Sequence, residues 1–223
     1  MSGSTTLKAG SAAVDITPPV GIALTGYVLR EGPSIGVHDR LYARAVVFDD
    51  GHCRAALVVC DLLALDRGFV ASARQAIEAA TGIPGAHVMI ACTHTHSGPA
   101  TIFLYGCGDV DHAWLDVLRQ HLVNVVQAAC ASMRKARVAT TARHLDMVAR
   151  NRRDPEGPMN PCLWVWCVVD TRGQPIATLL SYWCHPTVLG HTNRLISADY
   201  PGAAIARVPV SYTHLTLPTI YSV

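Results

Sequence analysis

Residues 87–99 of this chain read His-Val-Met-Ile-Ala-Cys-Thr-His-Thr-His-Ser-Gly-Pro, an apolar run that leads into a polar segment. The run His87–Cys92 has the length and composition of a short buried strand. The polar segment that follows has the small and hydroxylated residues of a loop. An amphipathic helix is predicted from about Ala113 to Met133. A strand, a polar loop and a helix in this order are typical of an α/β protein.

Elements upstream of this segment extend the pattern. β-Branched and alternating apolar residues predict strands at Ala12–Ile16, Leu41–Phe48 and Arg54–Cys60. The last two are joined across an Asp-Gly step, which favours a tight reversing turn. A helix is predicted to begin after Asp66 as its N-cap and to end at Gly82.

Downstream, a second hairpin is predicted from Cys162–Asp170 and Ile176–Cys184, and its second strand leads directly into His185. No internal repeat or low-complexity linker divides the chain. The predicted fold class is therefore α/β, a mixed β-sheet core flanked by helices.

Composition excludes several classes of partner. Half of the 223 residues are hydrophobic, 15% are charged and the net charge is +2. The cationic residues are scattered, so a nucleic-acid surface is not expected. No apolar run reaches the roughly 18 residues of a transmembrane helix. The first residues lack the basic and apolar regions of a secretory signal, which predicts a cytoplasmic protein, or a secreted one if the true start lies upstream.

The histidine pair suggests metal chemistry. His94 and His96 lie two residues apart after a predicted strand, so their Cα atoms would be about 6.5 Å apart on one face. Histidine nitrogen is a preferred zinc ligand, and a catalytic site usually has three protein ligands and an open position. A His-x-His pair is also compatible with two ordinary polar loop residues. His185, after another predicted strand, favours the metal interpretation and predicts a zinc site at strand ends.

An ordered series of motifs resembles the catalytic domain of the neutral/alkaline (non-lysosomal) ceramidases. Its most specific part is the Thr-His-Thr-His-Ser-Gly-Pro segment, and the resemblance runs from about Ala9 to Arg207. The other matching segments are residues 13–18, 36–45, 151–153 (Asn-Arg-Arg), 184–187 (Cys-His-Pro-Thr) and 196–202 (Ile-Ser-Ala-Asp-Tyr-Pro-Gly).

The resemblance implies a specific chemistry. In that family one zinc ion is held by two histidines, a glutamate and a tyrosine, and water attacks the N-acyl amide of ceramide to release fatty acid and sphingosine. The two metal histidines correspond to His94 and His185. His96 then becomes a neighbour of the substrate or water, and Arg152 corresponds to the family's essential arginine. Both would stabilise charge developing on oxygen, although Arg153 stands where the family usually has serine.

Two further residues have alternative interpretations. His38 either lies near the site or is hydrogen-bonded in a turn. Asp61 either orients a ligand imidazole or caps the loop after a strand. The residues alone leave both alternatives open.

The C-terminal segment departs from the family pattern. Residues 209–223 resemble a translated DNA adapter, which predicts a non-native tail after an incomplete N-terminal part of the catalytic domain at residues 1–208. The resemblance then implies that the glutamate and tyrosine ligands and a functional serine lie beyond this chain. Two imidazoles alone would bind zinc weakly and support little catalysis.

The predicted function is zinc-dependent hydrolysis of ceramide or a ceramide-like lipid amide by the parent protein. A small lipid-amide substrate also makes peripheral membrane contact a possible interaction. Because fold and metal ligands do not determine specificity, an intracellular metallohydrolase of another amide or ester is an alternative. A non-catalytic binding module of the same fold is the alternative from another class.

Overall fold

The computed structural model describes residues 6–208 and the backbone of a two-residue strand at 215–216. The interpretation of residues 209–223 as a non-native tail otherwise lies outside the described residues.

The described part of the chain forms ten strands and three α-helices. The strands are β1 (Lys8–Asp15), β2 (Gly36–Val37), β3 (Tyr42–Asp49), β4 (Arg54–Cys60), β5 (Val88–Cys92), β6 (Arg134–His144), β7 (Cys162–Asp170), β8 (Pro175–Ser181), β9 (Leu195–Ile196) and β10 (Leu215–Thr216). The helices are α1 (Arg67–Thr81), α2 (His112–Ala131) and α3 (Asp199–Arg207), with a 3₁₀ turn at Gly85–His87.

Eight strands form one mixed sheet in the order β10-β8-β7-β6-β1-β3-β4-β5. The pairs β4–β5 and β10–β8 are parallel and the remaining pairs are antiparallel. A separate pair, β2 and β9, is also parallel. The predicted mixed sheet flanked by helices is confirmed.

Both ends of helix α1 have local capping interactions that make them predictable from the sequence. The Asp66 carboxylate accepts the Phe69 N–H at 2.9 Å, as an N-cap does. Gly82 ends the helix with φ of 71°, a left-handed conformation that glycine adopts without steric cost. Ala73 and Ile77 are buried at helical spacing, and α1 packs against α2.

The sheet has two differently covered faces. Alternate residues of β3, such as Ala45 and Val47, belong to the core that includes the buried sides of α1 and α2. The intervening Val46 packs instead with Val168 and Ile176 of the β7–β8 hairpin. Strand β6 pairs with β1 at only two positions, and β8 contacts β1 directly. The β6–β8 half therefore folds over the other face of the sheet and brings its strand ends near those of β4 and β5.

Several elements differ from the sequence-based expectations, and β1 begins at Lys8, before the expected Ala12. Strand β6 was not predicted, because most of its residues are exposed and its sequence lacks apolar alternation. Helix α3 was also not predicted. Strand β8 ends at Ser181, earlier than the expected Cys184. The Cys184 carbonyl accepts the Tyr200 hydroxyl at 2.6 Å, which holds this extended segment against α3.

Within the described residues, no helix combines the length and the apolar character that crossing a membrane requires.

Candidate metal centre

Three imidazole rings meet where β5 and β8 end. His94 and His96 follow β5, and His185 follows β8 after a short extended segment. One ring nitrogen from each residue lies within 4.8 Å of the others, so this cluster could hold a metal ion. The Nε2 atoms of His96 and His185 are 2.8 Å apart. Folding of the sheet therefore joins the two histidine segments that the sequence presents separately.

The backbone fixes the orientation of His94. Its Nδ1 lies 2.9 Å from the Leu63 carbonyl oxygen. A carbonyl can only accept, so Nδ1 carries the hydrogen and Nε2 presents its lone pair to the cluster. His94 also has φ of 66°, a left-handed conformation that is rare outside glycine. Such strain is found preferentially at functional sites.

His96 is oriented in the same way by a different loop. Its Nδ1 lies 2.9 Å from the Gly26 carbonyl oxygen, so in the neutral ring Nδ1 carries the hydrogen and Nε2 is the acceptor. Burial, together with the neighbouring His185, lowers the pKa of His96 from 6.5 to about 4. The ring is consequently neutral at pH 7, the form that binds metals.

His185 has a similar electrostatic environment. Burial lowers its pKa, and the neighbouring His94 and the positive charge of Arg152 lower it further. The short contact between His185 Nε2 and His96 Nε2 is a hydrogen bond only if one of the two atoms donates. Because His96 Nδ1 already carries a hydrogen, His185 is the donor when both rings are neutral.

The donor set fits a zinc ion. Nitrogen ligands of one tetrahedral zinc lie about 3.3 Å apart, for bonds of about 2.0 to 2.1 Å. The three ligand nitrogens lie within 4.8 Å of one another, and two of the three rings have their second nitrogen beside a carbonyl. Small side-chain shifts would therefore suffice for the three residues to share one ion.

A cavity of about 860 Å³ opens beside His94 and His185. Arg152 also lines this cavity. The cavity combines polar and apolar walls. Its other lining residues are Ala149, Arg150, Asn151, Pro158, Met159, Asn160, Trp183, Cys184 and Thr187.

The buried carboxylate of Asp61 forms an ion pair with Arg44. Its buried Oδ2 accepts the Tyr42 N–H at 2.9 Å and the Arg44 guanidinium at 2.8 Å. Both bonds join Asp61 to β3, whereas the group beside His94 Nδ1 is the Leu63 carbonyl.

His38 is exposed, and its Nδ1 lies 2.7 Å from the carboxylate of Asp39. This side chain lines neither the cavity nor the histidine cluster.

Apart from Asp199, which lies in the matching segment 196–202, the groups that surround the cluster carried no recognisable signal in the sequence. Leu63 and Gly26 contribute only carbonyl oxygens, which any residue possesses. Asp199 is buried with φ of 57°, and its carboxylate accepts the N–H groups of Val188 and Leu189 in the loop after His185. The guanidinium of Arg30 donates to the backbone carbonyls of Thr25 and His96. Such contacts depend on the path of the backbone and not on a motif.

Gly26 is required by its contact with His96. A Cβ at this position would lie 2.5 Å from His96 Nδ1, and the residue has φ of 99°. Gly26→Ala is expected to reduce stability by about 1–3 kcal/mol from strain and by a similar amount from the clash. Gly21→Ala is the matched control, because Gly21 has φ of 100° with nothing within 4 Å. Denaturant unfolding of both variants measures the difference, and equal losses would contradict a steric role for His96.

Comparison with known protein families identifies the family of this chain. A family profile described as "Neutral/alkaline non-lysosomal ceramidase, N-terminal" matches residues 7–214. The chain belongs to this ceramidase family. The resemblance found in the sequence motifs is confirmed.

Curated ceramidases are similar to the chain over nearly all of its length. Neutral ceramidase of Drosophila melanogaster is 26% identical, with 96% of this chain and 34% of that protein aligned. Neutral ceramidase B of Dictyostelium discoideum is 27% identical, with 91% of this chain and 32% of that protein aligned. The chain thus spans about a third of the length of these ceramidases.

Solved ceramidase structures show the same fold. The crystal structure of neutral ceramidase from Pseudomonas aeruginosa superposes with a TM-score of 0.82 at 22% sequence identity. The match covers 96% of this chain and 38% of that one. A structure described as a ceramidase complexed with C2 matches with the same score and identity.

Proposed function

We propose that the protein is a zinc-dependent hydrolase of the N-acyl amide bond of ceramide or a ceramide-like lipid. The observation that carries this proposal is the convergence of three imidazoles beside a partly apolar cavity, in a chain that belongs to the ceramidase family. The names of its relatives support the substrate class.

His94 and His185 would hold the ion, and His96 lies close enough to contribute a third nitrogen. A bound zinc ion supplies a Lewis acid for the amide carbonyl and lowers the pKa of a coordinated water towards about 7. We further propose that a glutamate and a tyrosine outside the described residues complete the coordination. This donor set suits zinc better than hard cations, which prefer oxygen ligands.

The remaining residues have distinct roles in the proposed site. His96 is neutral and its Nε2 faces the cluster, so it can accept a proton or a hydrogen bond from a reacting group. Arg152, which lines the cavity, would donate to an oxygen that becomes negative during amide hydrolysis. The exposed indole of Trp183 and the side chain of Met159 offer apolar surface to an acyl chain.

The proposal is tested by assaying the full-length protein with ceramides of different acyl lengths and with short N-acyl amines. We expect hydrolysis of long-chain substrates that is lost after removal of metal by a chelator and restored by zinc. Activity that survives complete metal removal would exclude the zinc mechanism. Hydrolysis confined to short amides or to esters would favour the alternative substrate class.

A matched pair of arginine variants separates catalysis from simple binding. Arg152→Gln is expected to lower kcat/KM for ceramide about 10²–10³-fold, as for loss of one donor to a developing oxyanion. Arg153→Gln is the control, because Arg153 does not line the cavity. If the wild type and both variants bind ceramide and none of them hydrolyses it, the protein is a binding module.

A further inference from the structure

Arg30 lies where three chain segments around the histidine cluster meet. Its Nη2 donates to the His96 carbonyl at 2.7 Å, and its Nη1 donates to the Thr25 carbonyl at 2.9 Å. Its Nε donates to the Asn193 carbonyl at 2.8 Å. One guanidinium therefore connects the loop before β2, the histidine segment after β5 and the loop before β9.

The charge of Arg30 is held without a carboxylate. Among the described residues, no acidic side chain lies within ion-pairing distance of it. Burial lowers its pKa from 12.5, but an arginine remains charged at neutral pH. The guanidinium carbon lies 5.0 Å from the centre of the Tyr27 ring, in a cation–π arrangement. Three carbonyls and one aromatic face thus replace a counter-ion.

These contacts hold both partners of the His96–Gly26 hydrogen bond. The Gly26 carbonyl that accepts from His96 Nδ1 lies between Thr25, which Arg30 binds, and Tyr27, on which it stacks. On the other side, Arg30 binds the backbone of His96 itself. The Tyr27 ring also lies 5.0 Å from the His96 ring. Loss of the guanidinium would free the acceptor and the donor segment together.

We propose that Arg30 is a positioning residue that sets the tautomer and direction of His96, so that its Nε2 points to the site shared with His94 and His185. The expected effect on zinc binding rests on the proposed function, whereas the orientation of His96 can be tested independently of it. Lysine cannot replace this role fully, because its ammonium is a compact point charge that lacks the rigid planar fork of a guanidinium.

The orientation is tested by two-bond ¹H–¹⁵N correlation spectra of the imidazole rings in the metal-free chain. In the wild type we expect both His94 and His96 in the Nδ1-protonated tautomer. In Arg30→Met we expect His96 to become a mixture of tautomers while His94, bonded to Leu63, keeps its signal. Arg30→Lys should give an intermediate result and provides a milder variant if Arg30→Met unfolds.

Arg74→Met is the matched control, because Arg74 is also half-buried and donates from Nε to the Val88 carbonyl at 2.8 Å, outside the cluster. It should leave both histidine spectra unchanged. A wild-type His96 spectrum in a folded Arg30 variant would overturn the proposal. So would an equal change of His94 and His96, since that would indicate general loosening.

A second measurement links the orientation to the metal. Competition titration with a zinc chelator is expected to show a weaker affinity for Arg30→Met, by a factor no larger than that of His96→Ala. The loss should reach about 10- to 100-fold where His96 is itself a ligand, the usual effect of losing a group that orients a ligand. Arg74→Met should match the wild type. If the wild type binds no zinc, the proposed function fails, but the tautomer spectra still decide whether Arg30 positions His96.

Discussion

His94→Ala is expected to lower the affinity of the chain for zinc by about a hundredfold or more. His94 contributes one of three nitrogens in the cluster, and no other histidine, cysteine or carboxylate of the described residues joins that group. Loss of a direct ligand should exceed the 10- to 100-fold effect typical of residues that only orient ligands. Competition with a chromophoric chelator measures the change.

Two further variants sharpen this experiment. His38→Ala is the control, because His38 is exposed beside Asp39 and away from the cluster. It should bind zinc like the wild type. His96→Ala distinguishes two arrangements: the ceramidase resemblance makes His96 a neighbour, whose loss weakens binding modestly, whereas a three-histidine site predicts a loss comparable to that of His94→Ala. Unchanged affinity in His94→Ala would contradict a metal centre at this cluster.

Asp61→Ala is expected to lower the free energy of unfolding by about 3–5 kcal/mol, because it leaves the Arg44 charge unpaired in the interior. The Arg44 and Asp61 side chains are 9% and 0% exposed. The substitution also removes the acceptor of the Tyr42 N–H. Burial raises the pKa of Asp61 despite Arg44, so the pair is held at a desolvation cost. Denaturant unfolding measures the loss.

A surface pair provides the control for this prediction. Asp49 and Arg54 also form a salt bridge, with side chains 17% and 39% exposed. Asp49→Ala should cost no more than about 1 kcal/mol, because water screens the charge that remains. The double variant Arg44→Met with Asp61→Leu should recover much of the loss, since an apolar pair can replace a buried ion pair. Equal losses for Asp61→Ala and Asp49→Ala would show that burial does not determine the cost.

The elements that were predicted well are those whose signals are local. Strand β4 has the predicted bounds Arg54–Cys60, and α1 has the predicted caps, Asp66 and Gly82. Caps and apolar spacing act within a few residues, so a single sequence reveals them. Strand β6 lacks such a signal because it is stabilised by pairing with β7 along its length while most of its side chains remain exposed.

The sequence by itself determined the family and the α/β class, and it singled out the three histidines that the structure brings together. Only the tertiary structure decided how they meet: the folded sheet brings His185 to within 2.8 Å of His96. The tertiary structure also places the Leu63 and Gly26 carbonyls beside Nδ1 of His94 and His96, where they favour the Nδ1-protonated tautomers. It likewise pairs Asp61 with Arg44. The physical reason is that contacts between distant segments depend on long-range packing. A backbone carbonyl is present in every residue, so no residue type in the sequence indicates which carbonyl will accept a hydrogen bond.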